Sequence, residues 1–349
     1  MKRTILRGLH LVGAFGALRH LRRNAAVIVC YHGVMPGDDD SYQFLNANFV
    51  STKAFEQQMQ WLASRYRLVP LRHIVEAIDQ GAALPARAAT VTFDDGFANN
   101  YRTAFPVLRR LGIPTTIFLA TEKIGVPGAQ IWTERVKRAI YLTPKTSVTL
   151  HVGGPCTYQL PDAGARERGA RLVLSQLKRA TVAQRDEWLA EIESVCGRPS
   201  LQPNEAMRYD FLTWDQVREM AAAGIEFGSH TVSHPILTSL DDDRLAFELS
   251  ESKKTIESQL GRECYAFAYP NGGFGDFGPR EMAALKGAGY RCALSLEGGL
   301  VRRTAERFAL DRTNVAREYA LPLLNATLTG AMADLRSLTG RRSVGPAGV

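Results

Sequence analysis

The stretch ATVTFDDGF (Ala89–Phe97) joins a short β-forming run to two adjacent aspartates and a glycine. A near-continuous run of this length suits a strand covered on both faces. Asp-Asp-Gly alone reads as an ordinary turn, because Asp tolerates bent backbone and Gly allows positive φ. Two neighbouring carboxylates nevertheless repel, unless a cation lies between them or one is kept for proton transfer. The rest of the chain decides between these readings.

The same order of elements recurs on either side. AVIVCY (Ala26–Tyr31), TTIFLA (Thr115–Ala120), IEFGS (Ile225–Ser229), YAFAY (Tyr265–Tyr269), CALSL (Cys292–Leu296) and FAL (Phe308–Leu310) read as further buried strands. Between them FEQQMQWLASRY, YRTAFPVLRRLG, WDQVREMAAAG, DRLAFELSESKKTIESQLG and PREMAALKGAG carry apolar residues at helical spacing. Several end in Gly, a helix stop, and Asp243 is the expected N-cap of the fourth. Repeated strand–helix alternation predicts a closed or nearly closed α/β barrel, with a doubly wound open sheet as the alternative. One barrel unit is expected over residues 26–338, interrupted at about 125–209 by a helical insertion around the segment HVGGPC. Residues 339–349 lack apolar periodicity and read as a disordered tail.

Composition narrows the function classes. The 349 residues carry a formal net charge of +8, scattered in pairs such as Arg22-Arg23 and Arg302-Arg303. No basic block with interleaved aromatics appears, which argues against nucleic acid as a partner. Five widely spaced cysteines without a CxxC argue against a disulfide framework and for a reducing compartment. Residues 1–25 form a basic, partly apolar segment whose apolar run, Leu11 to Leu18, is too short to span a bilayer. A helix lying on the membrane surface and a helix packed on the core are both open readings. The expected location is the cytoplasm, with peripheral association at the inner face of the membrane as an option.

Polar residues cluster where the strands end. His32 follows the first, Asp94 and Asp95 the second, His230 and His234 the fourth, Pro270, Asn271 and Gly272 the fifth, and Asp311 and Arg312 the last. Barrels of this class place their chemistry at the C-terminal ends of the strands. His230 and His234, four residues apart, suit one side of a helical turn and a single metal ion. Two imidazoles and one carboxylate form the ligand set of many catalytic zinc sites, with a position left open. On this reading one aspartate binds the cation and its neighbour takes a proton from the attacking water.

With these residues in view, the chain resembles the polysaccharide deacetylases, the NodB-homology carbohydrate esterases of family 4. TFDDG (Thr92–Gly96) and HTVSHP (His230–Pro235) match that family's first two motifs in order and type. The resemblance implies an α/β fold, a distorted (β/α)7-type barrel, with Asp94 as base and Asp95, His230 and His234 as metal ligands. It also implies a divalent metal, Zn²⁺ first and Co²⁺ or Ni²⁺ as substitutes, and an acetylated glycan as substrate. Two departures stand out. The third motif has Tyr269 where many members place arginine, so Arg312 becomes the candidate to orient Asp94, against an ordinary ion pair as its other reading. Tyr269, Pro270 and Asn271 are expected to frame the acetyl group or offer a backbone N–H to the oxyanion. No histidine follows His234, so the usual C-terminal acid is absent. The chain is similar in this to the circularly permuted poly-N-acetylglucosamine deacetylases, in which a Tyr-His motif at the first strand supplies the acid. That assigns the role to His32, with a structural strand-end histidine as the alternative.

The expected activity is metal-dependent hydrolysis of N-acetyl groups on amino sugars. Two rivals remain at this point: a hydrolase of a non-sugar amide on the same fold, and a catalytically weak glycan-binding module. Trp132 and Trp188 suit either stacking on a sugar ring or helix packing.

Overall fold

A computed structural model describes residues 14–37, 45, 47–198 and 209–338. The chain runs α1 (Ala14–Leu21), β1 (Val27–Tyr31), β2 (Gly33–Met35), β3 (Phe49–Ser51), α2 (Thr52–Arg65), β4 (Arg67–Leu68), α3 (Leu71–Asp79) and β5 (Ala88–Phe93). A π-helical turn (Asn100–Ala104) leads into α4 (Phe105–Leu111) and β6 (Thr115–Leu119). Next come α5 (Trp132–Leu142), β7 (Ser147–Leu150), β8 (Cys156–Gln159), α6 (Ala163–Leu177) and α7 (Val182–Cys196). The remainder is α8 (Trp214–Ala222), β9 (Glu226–Ser229), α9 (Asp242–Leu260), β10 (Ala266–Ala268), α10 (Pro279–Gly287), β11 (Cys292–Leu294), β12 (Thr313–Asn314), α11 (Leu321–Leu328) and α12 (Ala331–Leu338).

The main sheet is parallel, in the order β11-β10-β9-β6-β5-β1-β12, with β4 added against the start of β5. Every residue of β1, β5 and β6 is buried, as the near-continuous apolar runs require. The sheet curls as a half-barrel of seven strands. A parallel bridge between Leu294 and Leu310 ties the segment before β12 to β11. The expected strand FAL is only this bridge; the paired residues are Thr313 and Asn314, against Val29 and Cys30. The last strand therefore lies beyond Asp311 and Arg312, and those residues precede it rather than follow it.

Helix boundaries follow local chemistry. Ser51 caps α2, whose buried Phe55, Gln58, Met59 and Leu62 recur at helical spacing. In α9 the cap is Asp241, which accepts from Arg244 N at 2.8 Å; the expected cap, Asp243, lies in the first turn. Gly261, at φ 60°, ends the same helix.

The segment read as a helical insertion also holds an antiparallel hairpin, β7–β8, and HVGGPC is its turn, with Gly153 and Gly154 at positive φ. Buried residues of α5, α6, α7 and the hairpin join the hydrophobic cluster of the barrel. All five cysteines are free. The C-terminal half of the N-terminal segment packs on the end of the chain: Arg19 donates to Asn325 at 2.6 Å and Arg22 to the Thr329 carbonyl at 2.6 Å. Residues 1–13 and the expected disordered tail, 339–349, lie outside the described residues, as does His10. No described helix is long and apolar enough to cross a membrane.

Candidate active site and metal centre

The strand ends converge on one cleft, lined by His32, Asp94, Asp95, His230, His234, Asn271 and Asn314 and, from α5, by Thr133, Glu134 and Lys137. The turn after β5 is built for close approach. Gly96 has φ 84°, and a Cβ there would sit 2.8 Å from Leu119 Cδ2. Only glycine fits both demands, and the turn aims Asp94 and Asp95 differently.

Asp95, His230 and His234 are buried, with their ligand atoms all within 4.8 Å of one another. Asp95 Oδ1 lies 3.5 Å from His230 Nε2 and 3.3 Å from His234 Nε2 but has no hydrogen-bond partner. His230 Nδ1 lies 2.7 Å from the Ala268 carbonyl, which fixes the tautomer that leaves Nε2 a lone pair. Burial pushes the His230 imidazole down to about 4, so the ring is neutral near pH 7. For Asp95 burial pulls upward, but His234 close beside it, with His32 and His230 behind, holds it below the usual carboxylate range. Three lone-pair donors facing one point, one of them an orphaned buried carboxylate oxygen, fit a small divalent cation.

The HxxxH segment is a loop rather than the expected helical turn. Thr231 and His234 adopt φ of 71° and 66°, and their rings still meet, His230 and His234 centroids lying 4.8 Å apart. A buried carboxylate that sequence reading missed shapes this loop. Glu248 on α9 accepts from Val232 N at 2.8 Å, Ser233 N at 3.0 Å and Ser233 Oγ at 2.6 Å. Trp132 Nε1 donates to the His234 carbonyl at 3.2 Å from the other side, so this indole is used for packing and anchoring. Among the described residues five non-glycines have positive φ, and four of them, Asp95, Thr231, His234 and Asn271, belong to this site. Each costs about 1–3 kcal/mol, a strain that concentrates where function fixes geometry.

Asp94 is fully buried and pairs in a bidentate manner with Arg312, Oδ1 at 2.7 Å and Oδ2 at 2.8 Å. Arg312 is held in turn by the Ser295 carbonyl at 3.0 Å and Thr92 Oγ1 at 3.2 Å. Burial would raise the Asp94 carboxyl; Arg312 first, then His230 and His32, outweigh it and keep the group below its ordinary range. His32 is half-buried at the end of β1, its Nδ1 without a partner, and its carbonyl accepts from Asn100 at 2.9 Å. Asn100 opens the π-helical turn, a form of helix frequent at functional sites.

Of the residues expected to frame the acetyl group, Asn271 lines the cleft, and its Nδ2 is buried and unpartnered. Tyr269 turns away: its ring stacks on Phe277 at 4.0 Å and its hydroxyl donates to the Phe308 carbonyl at 2.8 Å. Pro270 has no N–H, so the first backbone donor beyond Tyr269 is that of Asn271. Asn314, not singled out from the sequence, also lines the cleft with an orphaned Oδ1. Its only sequence signal is its place beside Arg312 at the last strand.

Comparison with known proteins follows the same line. The family model described as Polysaccharide deacetylase matches residues 81–148 and 175–293, leaving out β8 and most of α6 in the insertion. The Bacillus subtilis (strain 168) protein YxkH is 21% identical over 290 residues, 83% of this chain and 71% of its own length. A Staphylococcus epidermidis protein named poly-β-1,6-N-acetyl-D-glucosamine N-deacetylase is 25% identical over 235 residues, 64% of this chain and 78% of its own. Among solved structures, the deacetylase PplD of Streptococcus pyogenes superposes with a TM-score of 0.57 at 18% identity, over 87% of this chain and 98% of that one. IcaB of Ammonifex degensii gives 0.56 at 20% identity, over 88% and 97%. These likenesses show the fold, and the family match covers more than half of the sequence. The chain belongs to the polysaccharide deacetylase family, hydrolases of carbon–nitrogen bonds other than peptide bonds.

Proposed function

We propose that this protein is a metal-dependent N-deacetylase acting on amino sugars in a polysaccharide or glycan intermediate. The observation that carries the reading is the Asp94–Arg312 pair set in one cleft with Asp95, His230 and His234. A relative named as a poly-β-1,6-N-acetyl-D-glucosamine N-deacetylase supports the amino-sugar substrate. Asp95, His230 and His234 would hold the cation, Zn²⁺ in first place for two imidazoles and a carboxylate. When bound, it supplies Lewis-acid polarisation of the acetyl carbonyl and acidifies water.

The protein's own groups do the rest. Asp94, kept ionised and fixed at both oxygens by Arg312, takes the proton of the attacking water. The water oxygen bonds to the carbonyl carbon as the carbon–nitrogen bond breaks. His32 hands a proton to the departing nitrogen, which leaves poorly as an anion. Acetate and a free amino sugar result. Asn271 and Asn314 present one donor and one acceptor to the sugar from the cleft wall.

Acetate release by zinc-loaded protein, from N-acetylated oligosaccharides against linear and cyclic non-sugar amides, tests this. Turnover of the amino sugars is expected. Turnover of the non-sugar amides alone would overturn the substrate class, and glycan binding with no acetate release would leave a binding module.

A further inference from the structure

Two charged groups of the cleft wall, Glu134 and Lys137, have no part in this chemistry. Lys137 lies on α5, one turn beyond Thr133 and Glu134, and those three residues form the face that the insertion turns to the cleft. Lys137 is 4% exposed, and its ammonium makes no hydrogen bond or ion pair among the described residues. Glu134 lies one turn back, but its nearest ion pair is to Arg138, at 3.8 Å. The other charges felt at Lys137 are Asp95, which belongs to the candidate metal centre, and the cations Lys178 and Arg171. Beyond Lys137, α5 adds Arg135 and Arg138 to a second groove shared with Glu193 and Arg198. Around this helix cations outnumber carboxylates.

A buried ammonium that no carboxylate pairs directly costs free energy, and a site bears that cost when a ligand supplies the direct partner. We propose that Lys137 anchors an anionic group of the substrate, a uronate carboxylate or a phosphate carried next to the acetylated amino sugar. The inference rests on the deacetylase reading and names its substrate class: an anionic glycan or glycosyl phosphate rather than a neutral homopolymer. Lys137 then fixes which sugar lies over Asp94, while Asn271 and Asn314 hold neutral groups.

Binding read by calorimetry separates this from turnover. The probes are a tetrasaccharide alternating N-acetylglucosamine with glucuronate, N-acetylglucosamine 1-phosphate, and a neutral N-acetylglucosamine tetramer. They are titrated into wild type, Lys137→Met and Lys137→Arg. At least one anionic probe is expected to bind wild type about ten- to a hundredfold more tightly than the neutral one, the worth of a charge-assisted hydrogen bond. Which of the two does so identifies the anion. That ratio is expected to collapse in Lys137→Met, a similar-sized apolar side chain that a buried site accepts, and to persist in Lys137→Arg. Equal affinities in wild type, or a preference that survives in Lys137→Met, would overturn the proposal. Acetate is assayed in the same samples: a Lys137-dependent preference without acetate release supports the anion anchor and counts against the deacetylase reading alone.

Discussion

Arg312 is wholly buried and gives both terminal nitrogens to one carboxylate, so the Asp94 charge depends on it. Removing one partner of such a pair leaves an uncompensated buried charge. Arg312→Met is expected to lose about 3–5 kcal/mol of stability and most of its acetate-release rate. Urea unfolding and a turnover assay check both; unchanged stability would mean that the pair is solvated. His230 gives a second prediction. Its folded value of about 4 lies below the ordinary histidine value of about 6.5, so between these the unfolded chain binds a proton that the folded chain refuses. Stability of the metal-free protein is then full above about pH 6.5 and falls as pH drops towards 4, by up to about 1.4 kcal/mol per pH unit. Asp94 and Asp95, also held low, extend the loss below about pH 4. Urea midpoints measured from pH 8 to pH 4 test this, and a flat profile would contradict a buried neutral His230. Asp94, Asp95, His230, His234 and Arg312 could all be picked out in the sequence because each sits beside a strand. Glu248 and Asn314 could not, since what marks them is the atoms they face across the fold.

At the scale of elements, the loop from His230 to His234 is bent by two positive-φ residues and tied down by one side chain of α9. The i, i+4 spacing brought the two histidines together on paper for the wrong reason: the rings meet across a strained loop rather than along a helical turn. Glu248→Ala frees two backbone N–H groups and the Ser233 hydroxyl. Metal affinity is expected to fall about ten- to a hundredfold, as when outer-shell partners are lost. Competition with a chelator measures this, and wild-type affinity in the variant would show that the loop holds itself. The long buried strands were readable as continuous apolar runs. The two-residue β12 was not, because its pairing to β1 depends on the closing curl of the sheet. The hairpin β7–β8 was hidden for a related reason: it is short, and helical patterns surround it.

In the whole molecule the insertion is wired into the barrel's chemistry. Trp132 holds the His234 carbonyl, Lys137 and Glu134 wall the cleft, and the insertion's apolar residues share the barrel's core. The barrel type was readable from strand–helix alternation; the inward face of the insertion was not, since helical spacing does not say which side meets the cleft. Metal content and acetate release, measured side by side on zinc-treated wild type, Asp94→Asn and His230→Ala, test the central claim most directly. About one ion per chain is expected in wild type and Asp94→Asn and none in His230→Ala, with acetate released by wild type alone. Metal-free wild type after zinc treatment, or full turnover by Asp94→Asn, would contradict the account.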